Sequence, residues 1–367
     1  MLIDYPTKEN IFQAIEKIHA EHDSEFLILC GEEVNLDIPA LIELLNQNQI
    51  KFCGGFFPKI IYNNKSYSDK ILLLPVRFDS EPMIIEGLDT GNIEISDLEL
   101  PNTLGSLFIL VDGLSNYVSK FTYCLYKEIG PNYNVFGSGT GYENFDRRPC
   151  LFSKAGFFKD AAVIVLIRNP ITQSIRHGLK PIAGPYIATK TTANVLEQIN
   201  WKPAYEVYKE IIEKEEGIVF TEENYFDYAQ HYPFGVHRPG EENIIRDHVS
   251  MIENNAIRFG AEIPSNSILY LMKSNIEGMI SAGIDVCADA ISRCKQPEFL
   301  FFAVCISRFW LLKEKFDEEL DNISSNAQLK NIPVFGVLSL GEISSSNGGL
   351  LDYHAKTIVI SILEKHE

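Results

Sequence analysis

Strand-like and helix-like hydrophobic patterns alternate along the chain in a recurring order. Apolar, β-branched and aromatic residues crowd "FLILCGEE" at 26–33, whereas apolar residues recur every three or four positions in "NLDIPALIELLNQNQ" at 35–49. A second strand pattern runs into glycines in "IKFCGGFF" at 50–57, and a third follows in "KILLLPV" at 70–76. This order predicts a strand, a helix, a strand ending in a Gly-rich turn, and a further strand.

Residues 106–167 and 299–362 repeat the same order of patterns. The predicted Gly-rich turns fall at equivalent places, at Gly54-Gly55, Gly137-Gly139, and Gly336 with Gly341. The repetition lies in the pattern of elements rather than in residue identity, which indicates internal duplication. We therefore expect an α/β fold of mixed sheets, with two similar α/β domains packed on each other and the Gly turns converging at their interface.

A stretch rich in proline and glycine, "RNPITQSIRHGLKPIAGP" at 168–185, interrupts the periodic patterns. It predicts a domain boundary, which gives domains at 1–176 and 177–367. After it, 186–200 is typical of a hairpin, and a helix is expected to begin near Pro203.

Composition and charge exclude several classes of partner. The chain has 367 residues with 32 basic and 50 acidic side chains, for a net charge of −18. This balance disfavours nucleic acid and anionic membrane surfaces. The apolar runs at 161–167 and 299–306 are too short to span a bilayer, and the N-terminus lacks the pattern of a signal peptide. Seven cysteines without CxxC spacing are typical of reduced thiols, so a cytoplasmic location is expected.

The segment "NVFGSGTG" at 134–141 raises the question of a phosphate-binding loop. Such a loop sits between a strand and a helix N-terminus. Here the following residues are polar, include Pro149 and do not have a helical pattern. The sequence therefore favours glycines required for positive φ or for close backbone packing.

Several stretches, in order, resemble the FIST proteins, which pair an N-terminal and a C-terminal FIST domain. The opening of the C-terminal domain resembles 177–208, where the matching residues are Gly178, Pro181, Thr189, Asn194, Glu197, Pro203 and Ala204. Further similar segments are "YPFGV" at 232–236, "FGAEIP" at 259–264, "FFAVCISR" at 301–308, "VFGVLSLGEI" at 334–343 and "YHAKT" at 353–357. "GGFF" at 54–57 and "VFGSGTG" at 135–141 are similar to the two Gly turns of the N-terminal domain.

Two positions depart from the family pattern. The first turn usually carries a hydroxyl residue, whereas this chain has Cys53 followed directly by two glycines. The closing motif has Ala355 where asparagine is usual. A ligand that uses that hydroxyl or that amide would lose a contact here.

The resemblance implies an intracellular sensory module that binds a small, amino-acid-like ligand between its domains and signals to a separate protein such as a histidine kinase. The residues expected to contact the ligand are Arg308, Cys305, Glu342, His354, Gly55, Gly137 and Gly139. Arg308 suits a ligand carboxylate, with an ion pair to Glu342 as the structural alternative. Similarly, His354 suits either the ligand or a backbone hydrogen bond.

Two other functions stay open. Some family members bind haem and sense nitric oxide, and non-covalent haem requires only one axial histidine; the sequence does not indicate which. Cys305 is the candidate nucleophile of an enzyme, with a buried structural cysteine as the alternative. A metal site is not expected, because the spacings of His231, His237 and His248 match no ligand signature. Asp112, Gly113 and Ser115 precede the second predicted helix, with Ser115 as its expected N-cap.

Overall fold

The computed structural model describes residues 1–22, 24–95, 105–345 and 350–365. The helices of these residues are α1 (Lys8–His22), α2 (Ile38–Gln47), α3 (Val118–Ile129), α4 (Ala204–Glu216), α5 (Tyr225–Ala229), α6 (Ile276–Arg293), α7 (Ile306–Leu312) and α8 (Phe316–Gln328). The first strands are β1 (Leu2–Ile3), β2 (Glu25–Gly31), β3 (Phe52–Phe57), β4 (Lys59–Tyr62), β5 (Lys65–Tyr67), β6 (Ile71–Val76), β7 (Met83–Ile85), β8 (Ser106–Asp112), β9 (Asn134–Thr140), β10 (Leu151–Ser153), β11 (Gly156–Phe158), β12 (Ala162–Ile167) and β13 (Ile171–Arg176). The remaining strands are β14 (Lys180–Thr192), β15 (Val195–Ile199), β16 (Lys202–Pro203), β17 (Phe234–Val236), β18 (Ile244–Arg246), β19 (His248–Ile252), β20 (Ala256–Phe259), β21 (Ile268–Lys273), β22 (Pro297–Cys305), β23 (Val334–Ser339), β24 (Glu342–Ser345), β25 (Leu351–His354) and β26 (Ile358–Glu364).

Three units with the same strand pairing confirm the predicted repeat. In each unit a central strand pairs in parallel with the strand that follows the helix, and antiparallel with the last strand of the unit. The first unit (25–76) has β2 between β3 and β6, the second (106–167) has β8 between β9 and β12, and the third (297–364) has β22 between β23 and β26. The mixed α/β class expected from the sequence is therefore confirmed.

The units exchange hairpins in a cycle. The hairpin of the first unit, β4–β5, pairs with β23 of the third unit, and the third unit's hairpin β24–β25 pairs with β9 of the second. The second unit's hairpin β10–β11 pairs with β3 of the first, which completes the cycle. The result is three six-stranded sheets, each with strands from two units. The three units are thus related by a cyclic exchange of hairpins. Two of these units lie in the first half of the chain and the third lies in the second half.

Five of the glycines predicted to form turns lie inside strands instead, whereas Gly341 lies in the turn between β23 and β24 with a φ of 110°. Gly54, Gly137 and Gly336 occupy the same position in β3, β9 and β23, each facing the neighbouring parallel strand. A Cβ there would lie 2.2, 1.9 or 2.7 Å from the carbonyl oxygen of that strand. Gly55 and Gly139 are strand residues as well, and the Gly139 N–H donates to the Gly341 carbonyl oxygen at 2.7 Å. The glycines allow close packing, and no helix follows Gly141 to form a phosphate site.

The region where the three glycine-bearing strands meet is filled by side chains. Phe108 of β8 and Phe136 of β9 pack with Phe301 of β22, with ring centroids 5.0–6.1 Å apart. The sequence interpretation placed a ligand there, at the converging glycines. In the structure this region is aromatic core.

A fourth sheet of antiparallel strands has the order β18-β17-β21-β14-β15-β20-β19 and also includes β16. The predicted hairpin at 186–200 lies within β14 and β15, and the predicted helix at Pro203 is α4. An aromatic cluster on the inner side of α4 includes Tyr208, Tyr225, Phe234 and the half-buried His248.

The N-terminus of α3 contacts the second half of the chain. The helix begins at Val118, so Ser115 is not its N-cap, which corrects the sequence prediction. The Glu262 carboxylate accepts hydrogen bonds at 3.1 Å from the backbone N–H groups of Ser119 and Lys120. A carboxylate favours this position because the first N–H groups of a helix lack partners within it.

Candidate functional site

The third unit carries polar residues where the other two units carry apolar ones. The register of the exchanged hairpins defines the equivalent positions, since Ile61, Phe152 and Ile343 lie opposite the glycines Gly336, Gly54 and Gly137. The preceding residues are Ile60, Leu151 and Glu342, and their neighbours on the second hairpin strand are Tyr67, Phe158 and His354. The fold therefore accepts apolar or aromatic side chains at both positions. The third unit instead has a carboxyl group and an imidazole there. The hairpin β24–β25 is therefore the candidate location of a functional site.

Glu342 is a fully buried carboxyl group. The hydroxyls of Ser339 and Thr357 each donate a hydrogen bond to it at 2.5 Å. Burial outweighs these hydrogen bonds and raises the pKa of Glu342 to about 8. The side chain is therefore mostly protonated at neutral pH.

Cys305 ends the central strand of the third unit and is buried. Its sulfur lies 3.1 Å from the Ser307 hydroxyl oxygen. Burial raises the pKa of the Cys305 thiol to about 12, and the nearby Glu342 adds to that shift. A nucleophilic cysteine requires a lowered pKa. These surroundings disfavour the thiolate form, as is usual for a buried structural cysteine.

Arg308 is fully buried on α7 and is held by groups of the chain itself. Its Nε donates to both carboxylate oxygens of Glu319, at 3.0 and 3.1 Å, and Nη1 donates to the His177 carbonyl oxygen at 2.8 Å. Nη2 donates to the Met279 carbonyl oxygen. The predicted ion pair with Glu342 is wrong, because the partner is Glu319. All three guanidinium nitrogens of Arg308 thus donate to groups of the protein itself.

A cavity of about 370 Å³ lies beside the hairpin β24–β25. The end of β13 with His177, the segment 240–244, the C-terminal part of α6 and the hairpin line it. His354 is the predicted site residue that lines this cavity, while Thr357 separates the cavity from Glu342. Cys305, Arg308, Gly55, Gly137 and Gly139 lie outside its lining.

Both signs of charge face the cavity. Arg176 and Arg293 line it together with the acidic residues Glu241, Glu242, Asp289 and Asp352. Within this set Arg293 pairs with Asp289 at 2.8 Å. The Asp352 carboxylate pairs outside the set, with Arg238 at 2.5 Å. A lining of this kind suits a small ligand that carries charge itself.

Two buried histidines line the same cavity in their neutral form. Burial lowers the pKa of His354 to about 3, and its Nε2 lies 3.1 Å from the Ser344 hydroxyl oxygen. Burial also lowers the pKa of His177, whose Nδ1 accepts a hydrogen bond from the Leu179 N–H at 2.9 Å. The sequence interpretation missed His177 and Arg176, because it treated their segment only as a domain boundary.

The residues that line this cavity do not suit a haem group. The cavity is lined mainly by charged and hydroxyl side chains, whereas a porphyrin has broad apolar faces. Among the described residues, no group of three or more His, Cys, Asp or Glu side chains is arranged to hold a metal. His248 instead lies in the aromatic cluster, with its Nδ1 2.5 Å from the Tyr225 hydroxyl oxygen.

The described structure is that of a mixed α/β protein built from three hairpin-exchanging units and one antiparallel sheet, with a polar cavity where they adjoin. The chain belongs to the FIST family: the FIST N domain matches residues 25–202 and the FIST C domain matches residues 204–345. FIST domains are associated with sensory and signal-transduction roles. No match was found among curated proteins.

The two family matches meet at residues 202–204, whereas the sequence pattern predicted a boundary between 176 and 177. That boundary stays a prediction. None of the helices that the structure describes has both the length and the apolar composition needed to cross a bilayer.

Proposed function

We propose that this protein is a sensor that binds a small, amino-acid-like ligand in the cavity beside β24–β25 and signals to a separate protein such as a histidine kinase. The observation that carries the proposal is the replacement of apolar residues by Glu342 and His354 in one unit of three, next to a charged cavity. The seven cysteines are free thiols, which supports a cytoplasmic location.

The position and size of the cavity support a role in sensing. Its volume of about 370 Å³ lies at the small end of the range for ligand pockets. Residues 173–176 come from the FIST N match, and 240–244 come from the FIST C match. A ligand bound here would contact both regions. If it binds one relative arrangement of the two regions more tightly than another, it shifts the equilibrium toward that arrangement.

A thermal-shift screen of the common L-amino acids, each paired with its decarboxylated amine, tests the proposal. We expect at least one amino acid to raise the melting temperature, because a ligand at 100 times its Kd adds about 2.7 kcal/mol of stability. Arg176→Gln should weaken that binding roughly tenfold, as expected for the loss of one charge-assisted hydrogen bond.

Arg258→Gln is the matched control, since Arg258 is an exposed arginine on β20 that does not line the cavity. It should leave the amino-acid shift unchanged. The proposal is wrong if no amino acid stabilises the protein, or if the two arginine variants respond alike.

A further inference from the structure

Three hydrogen-bond donors at the edge of the cavity converge on the carboxylate of Glu242. The backbone N–H of His177 donates to Oε2 at 2.8 Å. The Nε2 atom of His177 lies 3.3 Å from the same oxygen, and Arg176 Nε lies 3.8 Å from Oε1. A protein carboxylate thus occupies a set of donors suited to an anion.

The two side-chain contacts in this set are incomplete. Because Nδ1 of His177 accepts from the Leu179 N–H, the ring hydrogen of the neutral imidazole resides on Nε2. Glu242 Oε2 lies 3.3 Å from Nε2 and the His177 ring also interacts with the backbone of Asn243, yet Nε2 has no hydrogen bond of good geometry to any described residue. The His177 side chain is only 5% exposed. Leaving a buried donor unpaired is unfavourable, so a better-placed acceptor would gain by binding here.

The backbone of His177 is held by buried neighbours, whereas Glu242 lies in a partly exposed segment outside the strands. The His177 carbonyl oxygen accepts from Arg308, which the buried Glu319 fixes in turn. Glu242 lies in the segment 237–243 between β17 and β18, and its side chain is 33% exposed. Its carboxylate can therefore turn toward solvent without disturbing a strand.

We propose that this donor set, formed by Arg176 and His177, binds the carboxylate of the ligand, and that Glu242 masks the set until the ligand displaces it. The inference rests on the proposed function, since it places that ligand's carboxylate in the same cavity. It assigns Arg308 and Glu319 as positioning residues that hold the His177 backbone in place.

Acetate is the minimal probe of a carboxylate site, and acetamide is its uncharged counterpart. Binding of each to the full chain is measured by isothermal calorimetry or by ligand-observed NMR. Glu242→Gln should bind acetate roughly tenfold more tightly than the wild type, because a masked site binds with an affinity reduced by the fraction that is open. Acetamide binding should change little.

A second substitution separates unmasking from a simple loss of negative charge. Glu242→Asp keeps the charge but shortens the side chain, so it should also bind acetate more tightly. Glu241→Gln removes one charge from the adjacent position, which also lines the cavity, and should give a much smaller gain. Unchanged or weaker acetate binding in both Glu242 variants would overturn the inference, as would an equal gain in Glu241→Gln.

Hydrogen–deuterium exchange of the wild type provides an independent measurement. Saturating acetate should speed exchange in the segment 237–243, because Glu242 is released, while the His177 amide stays protected by the new acceptor. No change in that segment would contradict displacement. If amino acids stabilise the protein but the Glu242 variants bind acetate no better, the inference fails alone. If Glu242→Gln gains acetate affinity but no amino acid binds, only the amino-acid assignment fails.

Discussion

Glu342 is an unfavourable residue for the core of a unit that otherwise repeats an apolar pattern. Its two counterparts are Ile60 and Leu151, and burying a carboxyl group costs more than burying either of those. Its hydrogen bonds to Ser339 and Thr357 link it to the wall of the cavity, because Thr357 touches both. The residue is thus placed to influence that wall through its protonation state.

The raised pKa of Glu342 makes the stability of the protein depend on pH. The folded state holds the proton up to about pH 8, whereas the unfolded chain loses it near the ordinary value of 4.5. The stabilisation that the folded protein gains by binding this proton more tightly is therefore fully present below pH 4.5, and it is lost as the pH rises toward 8. Glu342→Gln should remove this loss, which is at most about 1.4 kcal/mol per pH unit for one proton.

Urea denaturation between pH 4.5 and 8 checks the prediction as the difference between Glu342→Gln and the wild type. Taking this difference removes the effect of His354 and His248, whose pKa values of about 3 make the protein lose stability as the pH falls below 6.5. Glu253→Gln, at an exposed position, should leave the slope unchanged. A Glu342→Gln protein with the wild-type slope would show that Glu342 is ionised throughout.

The glycines inside the strands leave no room for a side chain where two strands approach closely. Gly137 of β9 faces the backbone of Ile109, and an added Cβ would lie 1.9 Å from its carbonyl oxygen. A backbone carbonyl group in a paired strand cannot shift to relieve this clash, whereas the end of a flexible side chain can. We expect Gly137→Ala to lower the free energy of unfolding by roughly 1–3 kcal/mol, the range for overpacking a core, with a lower denaturation midpoint.

Gly260→Ala is the control for that substitution. The nearest atom to its added Cβ is a Val249 methyl group at 4.0 Å, which is an ordinary contact. This variant should denature near the wild-type midpoint. Equal effects of the two substitutions would argue that backbone flexibility, and not the close approach of strands, makes Gly137 necessary.

Hydrophobic periodicity predicted the long elements well because each one buries a continuous face. The central strands and the helices α2 and α3 follow directly from that pattern. The exchanged hairpins were not predicted, since strands of three or four residues such as β10 and β11 carry too short a pattern. Gly341 does lie in a turn, as predicted. The strand glycines were misread as turn residues because the commonest use of glycine is a turn, whereas these permit close packing inside a strand.

The cavity could be predicted only in part from the sequence. His354 was identified because it lies in a segment that resembles a family motif. The residues Arg176, His177 and Glu242 come from two segments more than 60 positions apart, and no local pattern marks them as a group. Their proximity depends on how the hairpins and the fourth sheet pack, which is a property of tertiary structure.

At the scale of the whole molecule, the cyclic exchange of hairpins makes the two FIST regions depend on each other. The first unit donates β4–β5 to β23, and the third unit donates β24–β25 to β9. Each region alone would therefore expose unpaired strand edges at the places where the other normally pairs. Exposed edges are unstable and prone to association.

We therefore expect neither 1–202 nor 203–367 to fold alone, although they divide the chain where the family matches meet. Each fragment should show a broad, non-cooperative thermal transition by circular dichroism, because the loss of the exchanged strands removes part of its core. Co-expression should restore a stable complex that melts in one transition, as the intact chain does. A fragment 1–202 that unfolds cooperatively alone would show that the exchanged hairpins contribute little to stability. In that case a signal passing between the regions would have to depend on the ligand cavity, since the shared sheets would not couple them.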